Sequence, residues 1–364
     1  MSGEPEPPPL VTRVESAEPP MVTLAATRPG PGFWGSVLWC VLFLTVLYGT
    51  TIFVTAATWL GSGLHKGDVG GFIKSELEQF KVPAPAEPGT MPESLGKSIV
   101  WGMFIGQVIG LCFVLLVIRV KLGECWTAKL AIRRPSMTLL ILALLSTPGL
   151  MILHGGWHEL LHIIFNVKPD TASGAMYKSM FSTWPAWFAV IVIGVCPGVL
   201  EELFCRGFLG RGLLARYGFI GGVLLTSMFF GLLHVMPLYA IGTMFMGIAL
   251  HFTYIVTRSL WTPILIHAFN NSVTVLATMG IIELSAADQD AAGLDARVYG
   301  LSAISVAFLF AALWTGRLQR VSGDPAPYST VESAEGEFQR LRPNLPATLL
   351  GIAAAVALLY LVLA

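Results

Sequence analysis

The chain is 364 residues long, 54% hydrophobic and only 12% charged, and its 22 basic residues are balanced by 22 acidic ones. Soluble domains carry about 25% charge, so this composition excludes a soluble globular protein and reads as a polytopic membrane protein. The even charge balance leaves no footprint for a nucleic-acid partner.

Residues 1–31 are rich in Pro and Glu and too poor in apolar side chains to fold, which predicts a disordered tail. The apolar run behind it starts too late and is too long for a cleavable signal peptide. Nine stretches near the roughly 20 residues that cross a bilayer come after the tail, at 33–59, 98–118, 136–154, 185–210, 219–236, 238–257, 260–280, 299–315 and 346–364. They predict an all-α transmembrane bundle of eight or nine helices, without internal repeats. On this reading residues 32–364 are one membrane-embedded domain whose catalytic core spans 185–280. The connector 119–135 holds Arg119, Lys121, Lys129, Arg133 and Arg134; basic loops mark the cytoplasmic side, which places the N-terminus there too. The five cysteines, Cys40, Cys112, Cys125, Cys196 and Cys205, are odd in number and four lie in apolar runs, so buried thiols are expected rather than disulfides.

Between spans three and four, "GWHELLHII" holds His158-Glu159-x-x-His162, the spacing with which two His on one helix face bind zinc and the Glu acts as base. No third ligand stands at a familiar distance after it. The segment falls in the connector 155–184, and its polar stripe opposite Trp157, Leu160, Leu161, Ile164 and Phe165 also fits an amphipathic helix lying at the interface.

The fourth span contains "GVLEELFCRGFL", residues 198–209. A charge at the bilayer centre costs roughly 2.5–3.5 kcal/mol even on lenient scales, so Glu201, Glu202 and Arg206 need a compensating role. Arg206 is spaced to pair with Glu202 at i, i+4. A turn at Tyr217-Gly218 sends the chain back toward His234; Glu201 and His234 lie 16 and 17 residues on either side of Tyr217, hence at matched heights on antiparallel neighbours. His267 and Asn271 stack on one face of the helix that begins after the Arg258-Ser259 turn. These spacings predict that Glu201, His234, His267 and Asn271 meet in one cavity, opening toward the cytoplasmic half.

Glu201-Glu202-x-x-x-Arg206, Phe230-x-x-x-His234 and His267-x-x-x-Asn271, in that order, resemble the three motifs of the CAAX prenyl protease and bacteriocin-processing (CPBP, or Abi) family of intramembrane endopeptidases. The resemblance covers residues 185–280. It implies that Glu201 and His234 activate a water, that His267 and Asn271 stabilise the tetrahedral oxyanion, and that Glu202 and Arg206 support the site. A desolvated carboxylate suits the base, and N–H donors aimed at developing negative charge suit the oxyanion.

None of these roles calls for a cofactor; zinc enters only with the alternative built on His158 and His162. The expected partners are the lipid bilayer and a peptide or protein substrate, lipidated or not. A non-enzymatic membrane scaffold or immunity-type protein is the third reading, and five costly intramembrane polar groups argue against it. Phe230 and His251 are read as packing and structural residues.

Overall fold

The computed structural model describes residues 30–81, 91–168, 171–282, 296–320 and 338–363. Most of the predicted tail lies outside them. Its last two residues do not: Arg216 Nη1 donates to the Gly30 carbonyl at 2.6 Å, and Pro31 packs on Gly212.

Among the described residues, seven helices are long and apolar enough to cross a membrane: Phe33–His65, Glu93–Leu122, Met137–Ile164, Ala186–Leu232, Pro237–Thr257, Ala296–Thr315 and Leu345–Val362. The protein is an all-α, multi-pass bundle. Two of the nine predicted stretches are carried by the 47-residue run Ala186–Leu232, which Gly218 divides with φ 69° and ψ −172°. That left-handed backbone is open to glycine at no steric cost, and it reverses the chain. The arms on either side pack closely, since a methyl on Gly222 would stand 2.6 Å from Leu214 Cα. A further predicted stretch forms the helix Trp261–Thr278, whose hydropathy is lowered by His267, Asn270 and Asn271.

Helix Phe33–His65 lies along Glu93–Leu122, where Gly106 lets the Thr51 side chain and the Leu47 carbonyl approach. In lipid the hydrophobic effect does not drive helices together, so such small-residue contacts supply the association. Phe43 stacks on Phe204 with ring centroids 4.3 Å apart, tying the first helix to the one that carries the two glutamates.

Three details depart from expectation. The third span runs on to Ile164, so the His158–His162 segment is the end of a spanning helix rather than a separate interfacial one. Its glycine pair, Gly155-Gly156, packs rather than breaks: the Tyr299 ring fills the space where a Gly156 side chain would go. Cys40 and Cys205 are buried; Cys112 is exposed, because half of a lipid-facing helix needs no protein cover, and Cys125 is exposed in the basic connector. Finally, Leu318–Arg320 and Phe338–Arg340 pair as a short antiparallel ribbon.

Candidate active site

The helix that carries Glu201 and Glu202 is not a regular α-helix. Its seven-residue α segment Cys196–Glu202 lies between two π segments, Val190–Val195 and Leu203–Leu209. Each π turn shifts the hydrogen-bond register to i→i+5 and rotates the helix beyond it, and such turns recur at functional sites. Gln107 steadies the first one by donating its Nε2 to the Val192 carbonyl at 2.8 Å. On the opposite side the helix meets Trp261–Thr278 almost backbone to backbone, a methyl on Gly198 standing only 2.9 Å from the Ala268 nitrogen.

This approach brings Glu202, Arg206, Phe230, His234 and His267 together, whereas among the described residues neither Glu201 nor Asn271 hydrogen-bonds to His234 or His267. Arg206 Nη1 donates to Glu202 Oε1 at 2.6 Å and Nη2 to the Gly247 carbonyl at 2.9 Å. His267 Nδ1 stands 2.9 Å from the same Glu202 oxygen. Both Glu202 and Arg206 are fully buried, at 0% exposure. Phe230 is the hub: the Arg206 guanidinium lies 4.3 Å from its ring centroid, and the His234 and His267 rings each lie 5.5 Å from it. The expected i, i+4 pair is present, whereas the link from Glu202 to His267 has no counterpart in the motif spacings.

Hydrogen bonding assigns the imidazole protons. A carbonyl and a carboxylate can only accept, so His234 Nδ1, 3.2 Å from the Phe230 carbonyl, carries a proton, and so does His267 Nδ1. His234 Nε2 is then free to accept in the neutral ring. With Nδ1 committed to Glu202, His267 Nε2 carries a proton only in the imidazolium form. Asn271 Oδ1 accepts from Asn270 Nδ2 at 2.9 Å, which turns the Asn271 amide group outward as a donor. Glu201 is half-buried, and its Oε2 is buried without a partner among the described residues.

Two neighbours escape a reading of the sequence. Tyr48, from the first helix, lies within electrostatic reach of Glu201, and its hydroxyl donates at 3.4 Å to the carbonyl of Leu233, next to His234. His154, whose ring lies 4.7 Å from that of His158, sits within electrostatic reach of His234. Neither stands in a motif, and only their isolation as polar residues in apolar runs hints at them.

His158, Glu159 and His162 are engaged separately. The His158 ring presses on Gly242 and lies 5.2 Å from the Tyr239 ring, Tyr299 donates its hydroxyl to Glu159 at 3.2 Å, and His162 Nδ1 pairs with the Val167 carbonyl at 3.0 Å. Among the described residues no group of three or more His, Cys, Asp or Glu side chains stands in a metal-holding arrangement. His251 is fully buried against Gly210 and Tyr254, and neither of its ring nitrogens has a hydrogen-bond partner among the described residues.

Residues 182–273 match the family described as Rce1-like, type II CAAX prenyl endopeptidase Rce1-like. The matched stretch contains all three motifs and agrees with the resemblance drawn from them. It supports an intramembrane protease function and a peptide substrate for this integral, multi-pass membrane protein. No curated protein and no solved structure matches the chain.

Proposed function

We propose that the protein is an intramembrane endopeptidase that hydrolyses a peptide bond with water activated by Glu201 and His234. The observation that carries this reading is the convergence of Glu202, Arg206, Phe230, His234 and His267 from neighbouring helical segments on one cluster, beside a Glu201 oxygen without a hydrogen-bond partner among the described residues. Buried polar atoms are nearly always satisfied, so an open carboxylate oxygen inside the membrane suits a group that receives a proton in the reaction.

Glu201 takes a proton from a water that also donates to His234 Nε2, and the hydroxide adds to the scissile carbonyl carbon. The oxyanion that forms is met by the His267 imidazolium and the Asn271 amide. The C–N bond then breaks as Glu201 returns the proton to the leaving nitrogen. Glu202 does no proton transfer; it holds His267 in the donor form, and Arg206 holds Glu202. All of this chemistry is supplied by side chains, without a cofactor. The basic connector 119–135 and the N-terminus are cytoplasmic by the positive-inside rule.

The test is cleavage by the full chain reconstituted in lipid, against prenylated and unprenylated forms of the same peptides. Turnover that vanishes in Glu201→Gln supports the reading; no turnover of any membrane-anchored peptide, prenylated or not, speaks against it.

A further inference from the structure

Helix Phe33–His65 lies outside the matched stretch 182–273, yet it is fixed against the site from two sides. The Phe43 ring stacks on Phe204, close to Glu201 and Glu202 in the chain, and the Trp39 ring stands edge-on to Phe208 with centroids 5.4 Å apart. On another side Leu47 and Thr51 pack where Gly106 has no side chain. Tyr48 lies between these contacts, so its backbone has little freedom to move. Its hydroxyl donates to the Leu233 carbonyl at 3.4 Å, and it lies within electrostatic reach of Glu201. Carbonyls at a helix end have no partner within the helix; Leu233 caps the helix that ends at Leu232, and the phenol supplies its carbonyl with a donor.

The segment that Tyr48 holds is strained. After Leu233 the chain tightens: His234 N donates to the Gly231 carbonyl at 3.0 Å, Val235 N to the Leu232 carbonyl at 3.2 Å, and Met236 N to the His234 carbonyl at 2.6 Å. The last of these closes a three-residue γ-turn around Val235, whose φ is 63°; γ-turns with positive φ are rare and strained. Among the described residues the non-glycine positions with positive φ are Ala131, Asn166, Val235 and Arg258, and only Val235 is β-branched. Its Cβ is crowded in that conformation, which makes it an outlier for such a residue. Pro237 then opens the next helix and fixes the exit from the turn. Strain of this kind persists only where the surroundings over-determine it. His234 stands between Leu233 and Val235, so the group that holds the turn also sets the imidazole.

We propose that Tyr48 is a positioning residue for His234: by holding the Leu233 carbonyl, its hydroxyl keeps the Val235 turn in its strained form and the His234 ring in the place from which it acts with Glu201. Tyr48 works through the turn rather than on the reacting atoms. Without its O–H, Val235 relaxes toward negative φ, and His234 moves with it, away from the Phe230 carbonyl and ring that now orient it. The catalytic role rests on the protease reading above; the restraint on the turn does not.

The test uses the full chain in lipid nanodiscs. Tyr48→Phe keeps the ring and its packing and removes only the donor. Its kcat on a membrane-anchored peptide that the unsubstituted protein cleaves is expected to fall about 10-fold, short of the roughly 10² that a 1 Å misplacement can cost, with KM unchanged. Glycine takes positive φ as readily as negative, so adding Val235→Gly to Tyr48→Phe should recover most of the lost rate, which a mere loss of packing would not allow. An unchanged kcat in Tyr48→Phe, or an undiminished loss in the double variant, overturns the proposal. Hydrogen exchange of the segment 233–240 needs no turnover: it is expected to be faster in Tyr48→Phe than in the unsubstituted protein, and equal exchange overturns the restraint. No cleavage of any membrane-anchored peptide by the unsubstituted protein, with exchange shifted as expected, sinks the protease reading and the catalytic role with it, while the hold of Tyr48 on the turn stands.

Discussion

His267 Nδ1 and Arg206 Nη1 converge on one oxygen of Glu202, at 2.9 and 2.6 Å. The two glutamates of the motif therefore have different surroundings. Glu202 Oε1 accepts from a guanidinium and an imidazole, while Glu201 accepts from neither; the Oε2 atoms of both glutamates are buried without a hydrogen-bond partner among the described residues. Glu202 Oε1 is already engaged by two donors, which fixes that carboxylate in place. Glu202 is thereby suited to orienting His267, and Glu201 is the glutamate that no side chain among the described residues holds in place.

Arg206→Ala leaves Glu202 as a fully buried carboxylate without its main counter-charge. Breaking a buried pair from one side costs about 3–5 kcal/mol, so the variant is expected to unfold at a clearly lower temperature in detergent or nanodiscs. Arg206→Lys should recover only part of the loss, since one ammonium cannot span Glu202, the Gly247 carbonyl and the Phe230 face together. A thermal midpoint unchanged in Arg206→Ala would show that the pair is not structural.

Glu202→Gln keeps the shape but replaces the carboxylate oxygen that fixes His267 Nδ1. The expected outcome is a fall in kcat with little change in KM, approaching the roughly 10² to 10³ lost with one oxyanion donor. His267→Gln should show the same split, and the double variant should lose little more than either single one, because both act on the same donor. Additive losses in a double-mutant cycle would mean that Glu202 acts apart from His267.

The helices are legible in the sequence because crossing a bilayer demands about 20 apolar residues in a row, and the three motifs are legible because polar groups in such runs are costly. The rest is hidden for identifiable reasons. The π segments around Cys196–Glu202 change only the hydrogen-bond register and leave no mark in composition, so the rotation that turns Glu202 toward His267 cannot be read. Tyr48 and His154 reach the site from helices far outside 185–280. The third helix runs past its expected end through Gly155-Gly156; in lipid, glycine is tolerated within a helix, and here Gly156 admits the Tyr299 ring.

Gly198→Ala tests the close approach that brings the two halves of the site together. Its methyl would stand 2.9 Å from the Ala268 nitrogen, and backbone cannot step aside as a flexible side chain can. Overpacking of this kind costs about 1–3 kcal/mol. Displacing reacting groups by about 1 Å can cost about 10² in rate, so activity should fall more than stability does. Equal activity in Gly198→Ala would show that the spacing between the helices of Glu201 and His267 is not critical.

The most direct measurement is the cleavage rate of one membrane-anchored substrate by Glu201→Gln and by Glu159→Gln, at equal amounts of folded protein. Glu201→Gln keeps size and hydrogen bonding but cannot take a proton, so its rate should fall by at least the roughly 10² to 10⁴ that a general base contributes. Glu159→Gln, whose carboxylate accepts from Tyr299, should stay close to the unsubstituted protein. Loss of activity in Glu159→Gln with retention in Glu201→Gln would contradict the account and move the chemistry to the His158–His162 segment.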